Sequence, residues 1–134
     1  MPTDLPTAMT ADEAAAVRVL REDGARFAFV HGSRARGTDA RPDSDLDVAA
    51  WWGAAHPAPW EVRLASTVDL LVLDDAPLWL AGRVAQYGRL LFDDDPAARV
   101  SWQADTRLRY LDDLPGLTER RRAALSRFAA GRRG

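Results

Sequence analysis

Three short stretches decide the reading of this chain: Phe29-Val30-His31-Gly32-Ser33-Arg34-Ala35-Arg36-Gly37, then Asp45-Leu46-Asp47-Val48, then Val68-Asp69-Leu70-Leu71. The first passes from an aromatic, β-branched strand into a Gly-Ser turn, where backbone N–H groups point outward. Such a turn can hold phosphate oxygens. Gly32 permits close approach, the Ser33 hydroxyl adds a donor, and Arg34 and Arg36 add charge-assisted donors. On a strand, residues i and i+2 share a face. Asp45 and Asp47 therefore point one way, while Leu46, Val48 and Ala50 point into the core. Two carboxylates on one face repel each other unless a cation sits between them. Asp69 is a further acid in an apolar strand and can complete a three-carboxylate cluster if the second and third strands are neighbours. Oxygen-only ligands suit Mg²⁺ or Mn²⁺ rather than zinc. A phosphate cradle facing such acids is the layout for phosphoryl or nucleotidyl transfer with two metals. Two other readings of the glycines fail. Gly32-x4-Gly37-Thr38 lacks the P-loop lysine, and no G-x-G-x-x-G occurs.

Working outward, Thr10-Ala11-Asp12-Glu13 is a capping box, and it predicts a helix from about Ala11 to Asp23 that stops at Gly24. Strands are expected at Arg26 to His31, Leu46 to Trp52 and Thr67 to Leu73, with Trp60 to Ala65 extending the third or pairing beside it. Asp75 is expected to cap a helix ending near Tyr87, and Arg89 to Phe92 to form a fourth strand. Asp95-Pro96 opens another helix, in which Ala97, Val100, Ala104, Leu108 and Leu111 keep helical spacing up to Pro115. Thr118 to Arg133 reads as a basic, partly helical tail. This element order gives an α/β (α+β) domain with one sheet.

Composition bounds the rest. The chain has 134 residues, 47% hydrophobic and 28% charged, which suits one soluble globular domain. It has no Cys, so disulfides, thiolate zinc sites and cysteine nucleophiles are excluded. All 18 basic residues are Arg, which excludes Schiff-base catalysis. No apolar run is long enough to span a membrane, and Met1 to Thr10 lacks the basic start of a signal peptide, so a cytoplasmic protein is expected. The net charge of −2 hides an asymmetry: residues 1–95 hold 16 acids and 9 Arg, residues 96–134 hold 4 acids and 9 Arg. An acidic body and a basic end suggest two different surfaces.

Gly32-Ser33, Asp45-x-Asp47 and the downstream Asp69 resemble the polymerase-β-type nucleotidyltransferases, most closely the minimal nucleotidyltransferase (MNT) domains that include MntA-like antitoxins. The resemblance spans roughly residues 11–112 and rests on Gly-Ser-Arg-Ala-Arg-Gly-Thr, Ser-Asp-Leu-Asp-Val and the third Asp. It implies a nucleotidyltransferase fold, a small mixed β-sheet with flanking helices. It divides the chain into an N-terminal extension (1–10), a nucleotidyltransferase domain (11–114) and a basic C-terminal tail (115–134). It makes Asp45, Asp47 and Asp69 catalytic and metal-binding, with Asp69 helping to take a proton from the attacking hydroxyl. Gly32, Ser33, Arg34 and Arg36 would bind the triphosphate of ATP, with Mg²⁺ as cofactor. The loop Arg34 to Ser44 departs from the family by one extra residue, which a loop accommodates cheaply.

The resemblance further implies a partner, a HEPN-domain ribonuclease toxin silenced when AMP from ATP is placed on one of its tyrosines. Only twenty residues follow Leu114, too few for an acceptor-holding domain, so the acceptor is expected on another protein. Two alternatives stand: a small-molecule (aminoglycoside-type) adenylyltransferase, and a non-catalytic antitoxin acting by binding alone. Plainer readings also exist for single residues. Asp45 and Asp47 could line a solvated edge strand, and Asp69 could simply face solvent. Arg34 and Arg36 could lie on a solvated helix face, and His31 is read as a satisfied core or cleft-wall histidine rather than a catalyst. Trp51 shares the acid face, where packing is its simpler role, and Trp52 points to the core. The run Asp93 to Asp95 reads as a turn and helix cap. Direct nucleic-acid contact by the tail is not expected, because it lacks interleaved aromatics apart from Phe128.

Overall fold

A computed structural model describes residues 9–32 and 45–133. Helix α1 (Ala11–Glu22) starts on the expected capping box: the Thr10 hydroxyl accepts from the Glu13 N–H at 3.1 Å, and the Glu13 carboxylate accepts from the Thr10 N–H at 3.3 Å. The chain then turns at Gly24 into β1 (Phe27–His31), followed by β2 (Leu46–Trp51) and β3 (Val68–Val72). Helix α2 (Leu78–Tyr87), strand β4 (Arg89–Asp93), helix α3 (Pro96–Asp112) and helix α4 (Leu114–Arg133) complete the order.

The four strands form one mixed sheet in the order β3-β2-β1-β4. β1 lies antiparallel to both β2 and β4, and β2 lies parallel to β3. Both faces are covered, which is why β2 is buried almost continuously. Ala28, Val30, Leu46, Val48, Ala50 and Trp52 pack with Val17 and Leu20 of α1. Phe27, Phe29, Ala49 and Leu73 on the other face pack with Ala81 and Val84 of α2 and with Trp102 of α3. The molecule is therefore layered: α1, the sheet, then α2 with α3. Phe27 and Phe29 are sealed inside, so losing either ring costs about 3–5 kcal/mol.

Ion pairs fasten the edges of these layers. Asp93 accepts from Arg99 at 2.9 Å, Asp94 takes both arms of Arg21 at 2.8 Å each, and Asp95 pairs with Arg26 at 3.1 Å. Asp95 also caps α3 through the Ala98 N–H at 3.2 Å, as its sequence position suggested.

Two expectations are corrected. Trp60 to Ala65 forms no strand; a 3-10 turn at Pro59–Glu61 stands there instead, started by Pro59 with its preset φ and closed by the Glu61 N–H on the Ala58 carbonyl at 2.9 Å. Asp75 does not cap α2, which begins behind Pro77 with no side-chain cap. Its neighbour Asp74 accepts from the backbone N–H of Trp52 (3.0 Å) and Gly53 (2.7 Å), tying β3's end to β2's end. The apolar spacing of α3 marks the outward side: Thr106 and Tyr110 are its buried residues, while Val100, Leu108 and Leu111 are exposed.

Candidate active site

The acids gather through strand pairing. In the parallel register of β2 and β3, Asp47 stands opposite Asp69; in the antiparallel register of β1 and β2, it stands opposite His31. Neighbouring strands lie about 4.8 Å apart. His31, Asp47 and Asp69 thus form a row across three strands, on the face that carries Phe27, Phe29 and Ala49 farther along. Side chains on that face alternate with the core residues Leu46 and Val48, as period-2 spacing requires. Asp47 is half-buried, Asp69 exposed, and Asp45 exposed one residue ahead of β2.

Gly32 closes the row at the end of β1. Its φ is +73°, a backbone conformation that a side chain makes costly. A Cβ built there would meet the Asp47 carboxylate oxygen Oδ2 at 2.5 Å, so the carboxylate lies where a side chain would be. The glycine therefore serves the acid directly, in addition to any ligand. Burial pushes the His31 imidazole below its ordinary pKa, and the Asp47 and Asp69 carboxylates pull in the opposite direction. The sequence offered one signal for this placement: His31 alternates with Phe29 and immediately precedes Gly32.

The donor set has the chemistry a hard divalent cation takes, carboxylate oxygens from adjacent strands. Among the described residues, no three His, Cys, Asp or Glu side chains come close enough together to hold a metal ion. Asp47 and Asp69 are brought side by side; Asp45 is not drawn into a closed triad with them. Ser33, Arg34 and Arg36 lie outside the described residues. Trp51 stacks on Phe27, with ring centroids 5.1 Å apart and an interplanar angle of 15°, and Arg26 lies 5.9 Å from its ring. These contacts account for Trp51 by packing.

No protein-family profile matches the chain, and no curated protein matches it. Solved structures do. A crystal structure of a toxin–antitoxin with AMP-PNP matches with a TM-score of 0.63 at 24% identity, over 87% of this chain and 98% of that one. A crystal structure of the toxin–antitoxin MntA–HepT gives 0.60 at 22% identity, over 88% and 97%. A tri-AMPylated Shewanella oneidensis HEPN toxin in complex with MNT antitoxin gives 0.60 at 21% identity, over 88% and 96%. The likeness shows a shared fold: the mixed four-stranded sheet with flanking helices is the nucleotidyltransferase fold of MNT antitoxins. No helix among the described residues is long and apolar enough to cross a membrane.

Proposed function

We propose that this chain is an antitoxin nucleotidyltransferase that moves AMP from Mg·ATP onto a tyrosine of a HEPN-type ribonuclease toxin and so neutralises it. The observation that carries the reading is the row in which Asp47 stands beside Asp69 with Gly32 packed on the Asp47 carboxylate. Carboxylates on adjacent strands give a divalent cation a pair of oxygen ligands. The shared fold of structures described as holding AMP-PNP and a tri-AMPylated HEPN toxin supports the same reading.

In this mechanism Asp47 and Asp69, with Asp45 one residue ahead of β2, would hold Mg²⁺, which would supply charge neutralisation at the triphosphate. Gly32 and Ser33 offer the turn for the phosphates, and Arg34 and Arg36 add positive charge around them. Asp69, on the exposed side of the row, accepts the proton from the tyrosine hydroxyl. The tyrosine oxygen forms a bond to the α-phosphorus as the bond to pyrophosphate breaks. The acceptor comes from the partner, and the protein acts in the cytoplasm.

The test is mass spectrometry of the partner after co-expression. Wild type should add one AMP or a multiple of it, and Asp47→Asn should add none while still co-purifying. Removing an electrostatic contact made in the transition state commonly costs about 10²–10³-fold in rate. The reading opposed to transfer is neutralisation by binding alone. An unmodified partner in the wild-type complex decides for that reading.

A further inference from the structure

Helix α3 presents an apolar stripe to solvent. Val100, Leu108 and Leu111 are 53%, 61% and 52% exposed, and Ala97 and Ala104 on the same side are exposed too. The inner side is already satisfied: Trp102 packs on Phe27 and Phe29, Tyr110 is buried against Gly82, and Gln103 and Arg107 donate to the Ala85 carbonyl. At 1.5 Å per residue the stripe from Ala97 to Leu111 is about 21 Å long. Ala104, small between Val100 and Leu108, leaves a hollow that lets a second helix approach to about 8–10 Å.

The borders of the stripe differ in charge. At 100° per residue Asp105 and Asp112 run along one border and Arg107 along the other. Asp105 holds Arg109 only loosely, at 3.7 Å with both side chains exposed, and Asp112 makes no ion pair among the described residues. A second copy packed antiparallel on this stripe would set Asp105 and Asp112 against the same acids. An isologous contact along one short helix also falls well short of the roughly 1,200–2,000 Å² that stable interfaces bury. A foreign helix with basic residues beside its apolar face meets neither objection, because its own protein can extend the contact.

We propose that the outer stripe of α3 is the docking surface for an amphipathic helix of the toxin-type partner, with Arg or Lys on the side that meets Asp105 and Asp112. The inference rests on the partner named in the proposed function and adds the surface that seats it. The placement is consistent with transfer, since α3 packs on the same sheet face that bears Asp47 and Asp69.

The test uses the full chain and the helical HEPN-type protein co-expressed with it. Leu108→Glu/Leu111→Glu changes only exposed side chains, so its urea midpoint should match wild type. Its Kd for the partner should rise at least about 30-fold, the size of a hot-spot truncation. Asp112→Arg should weaken binding several-fold, chiefly at low salt. Equal affinity of the double leucine variant and wild type overturns the proposal, and so does a wild type that does not bind. Light scattering that shows a concentration-dependent dimer abolished by the leucine variant overturns it in favour of a second copy. The transfer reading fails separately: wild type that binds through the stripe yet adds no nucleotide leaves the docking surface standing and removes the chemistry.

Discussion

Gly32 meets two demands, a left-handed backbone at φ +73° and the Asp47 carboxylate 2.5 Å from where its Cβ would be. Gly32→Ala pays the left-handed strain, about 1–2 kcal/mol, and must also push Asp47 aside. We expect a modest fall in the urea midpoint and a transfer rate lowered by about 10²-fold or more, because the acid moves off its register with Asp69. A variant with the same lost stability but normal transfer would show that Asp47's position is not critical. At this scale much of the site was legible in the sequence. Period-2 spacing puts Asp47 opposite in sense to Leu46 and Val48, and an acid such as Asp69 is conspicuous in an apolar strand. The pairing of Asp47 with Asp69 was not legible, because no local pattern states which strands are neighbours or in which direction they run. A second pairing, β1 with β2, brings His31 into the row.

Among the elements, α3 teaches how far periodicity reaches. Its apolar spacing correctly marks a helix, yet spacing does not say which side is covered. The covered side is built from Trp102, Thr106 and Tyr110, a set with little apolar regularity, and it fits only because α2 offers Gly82. A Cβ at Gly82 would run into the Tyr110 ring. In an open helix Gly→Ala stabilises by about 1 kcal/mol. Here overpacking should reverse the sign, costing roughly 1–3 kcal/mol. Urea unfolding of Gly82→Ala should therefore show a lower midpoint than wild type. In a Tyr110→Ala background, where the ring is gone, the same substitution should become neutral or stabilising. A Gly82→Ala protein more stable than wild type would mean that α2 and α3 are not in close contact there. The strands and α1 were easier to read, since their capping box, alternation and flanking turns act locally. The start of α2 was harder to read: it stands behind Pro77 with no side-chain cap, while Asp74 turns away to the Trp52 and Gly53 N–H groups.

At the level of the whole molecule, charge fixes the layers and then meets the ligand. Arg21 on α1 clasps Asp94 beyond β4, and this partner holds the Asp94 carboxyl below the ordinary 3.8, first through the hydrogen bonds and then through the guanidinium's charge. A carboxyl lowered on folding adds stability at neutral pH that is lost as pH falls through its folded value. Both side chains are about half exposed, 50% and 43%, so the contribution is at most about 1 kcal/mol. Asp94→Asn should thus lose little at pH 7 and show a slightly flatter stability profile below pH 4; an unchanged profile would leave the pair without a stabilising role. The larger linkage belongs to the acid row. The row lies at the end of the sheet opposite Arg26 and Asp95, so a ligand there meets a different set of residues from the ion pairs that close the layers. A ligand that binds only the folded protein at 100 times its Kd adds about 2.7 kcal/mol. For a chain of this size each kcal/mol moves Tm by on the order of 2–8 °C. Saturating Mg²⁺ with ATP should raise Tm by several degrees or more, and Mg²⁺ alone by less, since the triphosphate then contributes nothing to the turn at Gly32. Asp45→Asn/Asp47→Asn keeps the shape of both side chains, and its own ligand-free Tm is the reference for its Mg·ATP shift. The same variant should lose most of the Mg·ATP shift, because the charge that recruits the cation is gone. An equal Mg·ATP shift in the variant and wild type would remove these acids from the metal site.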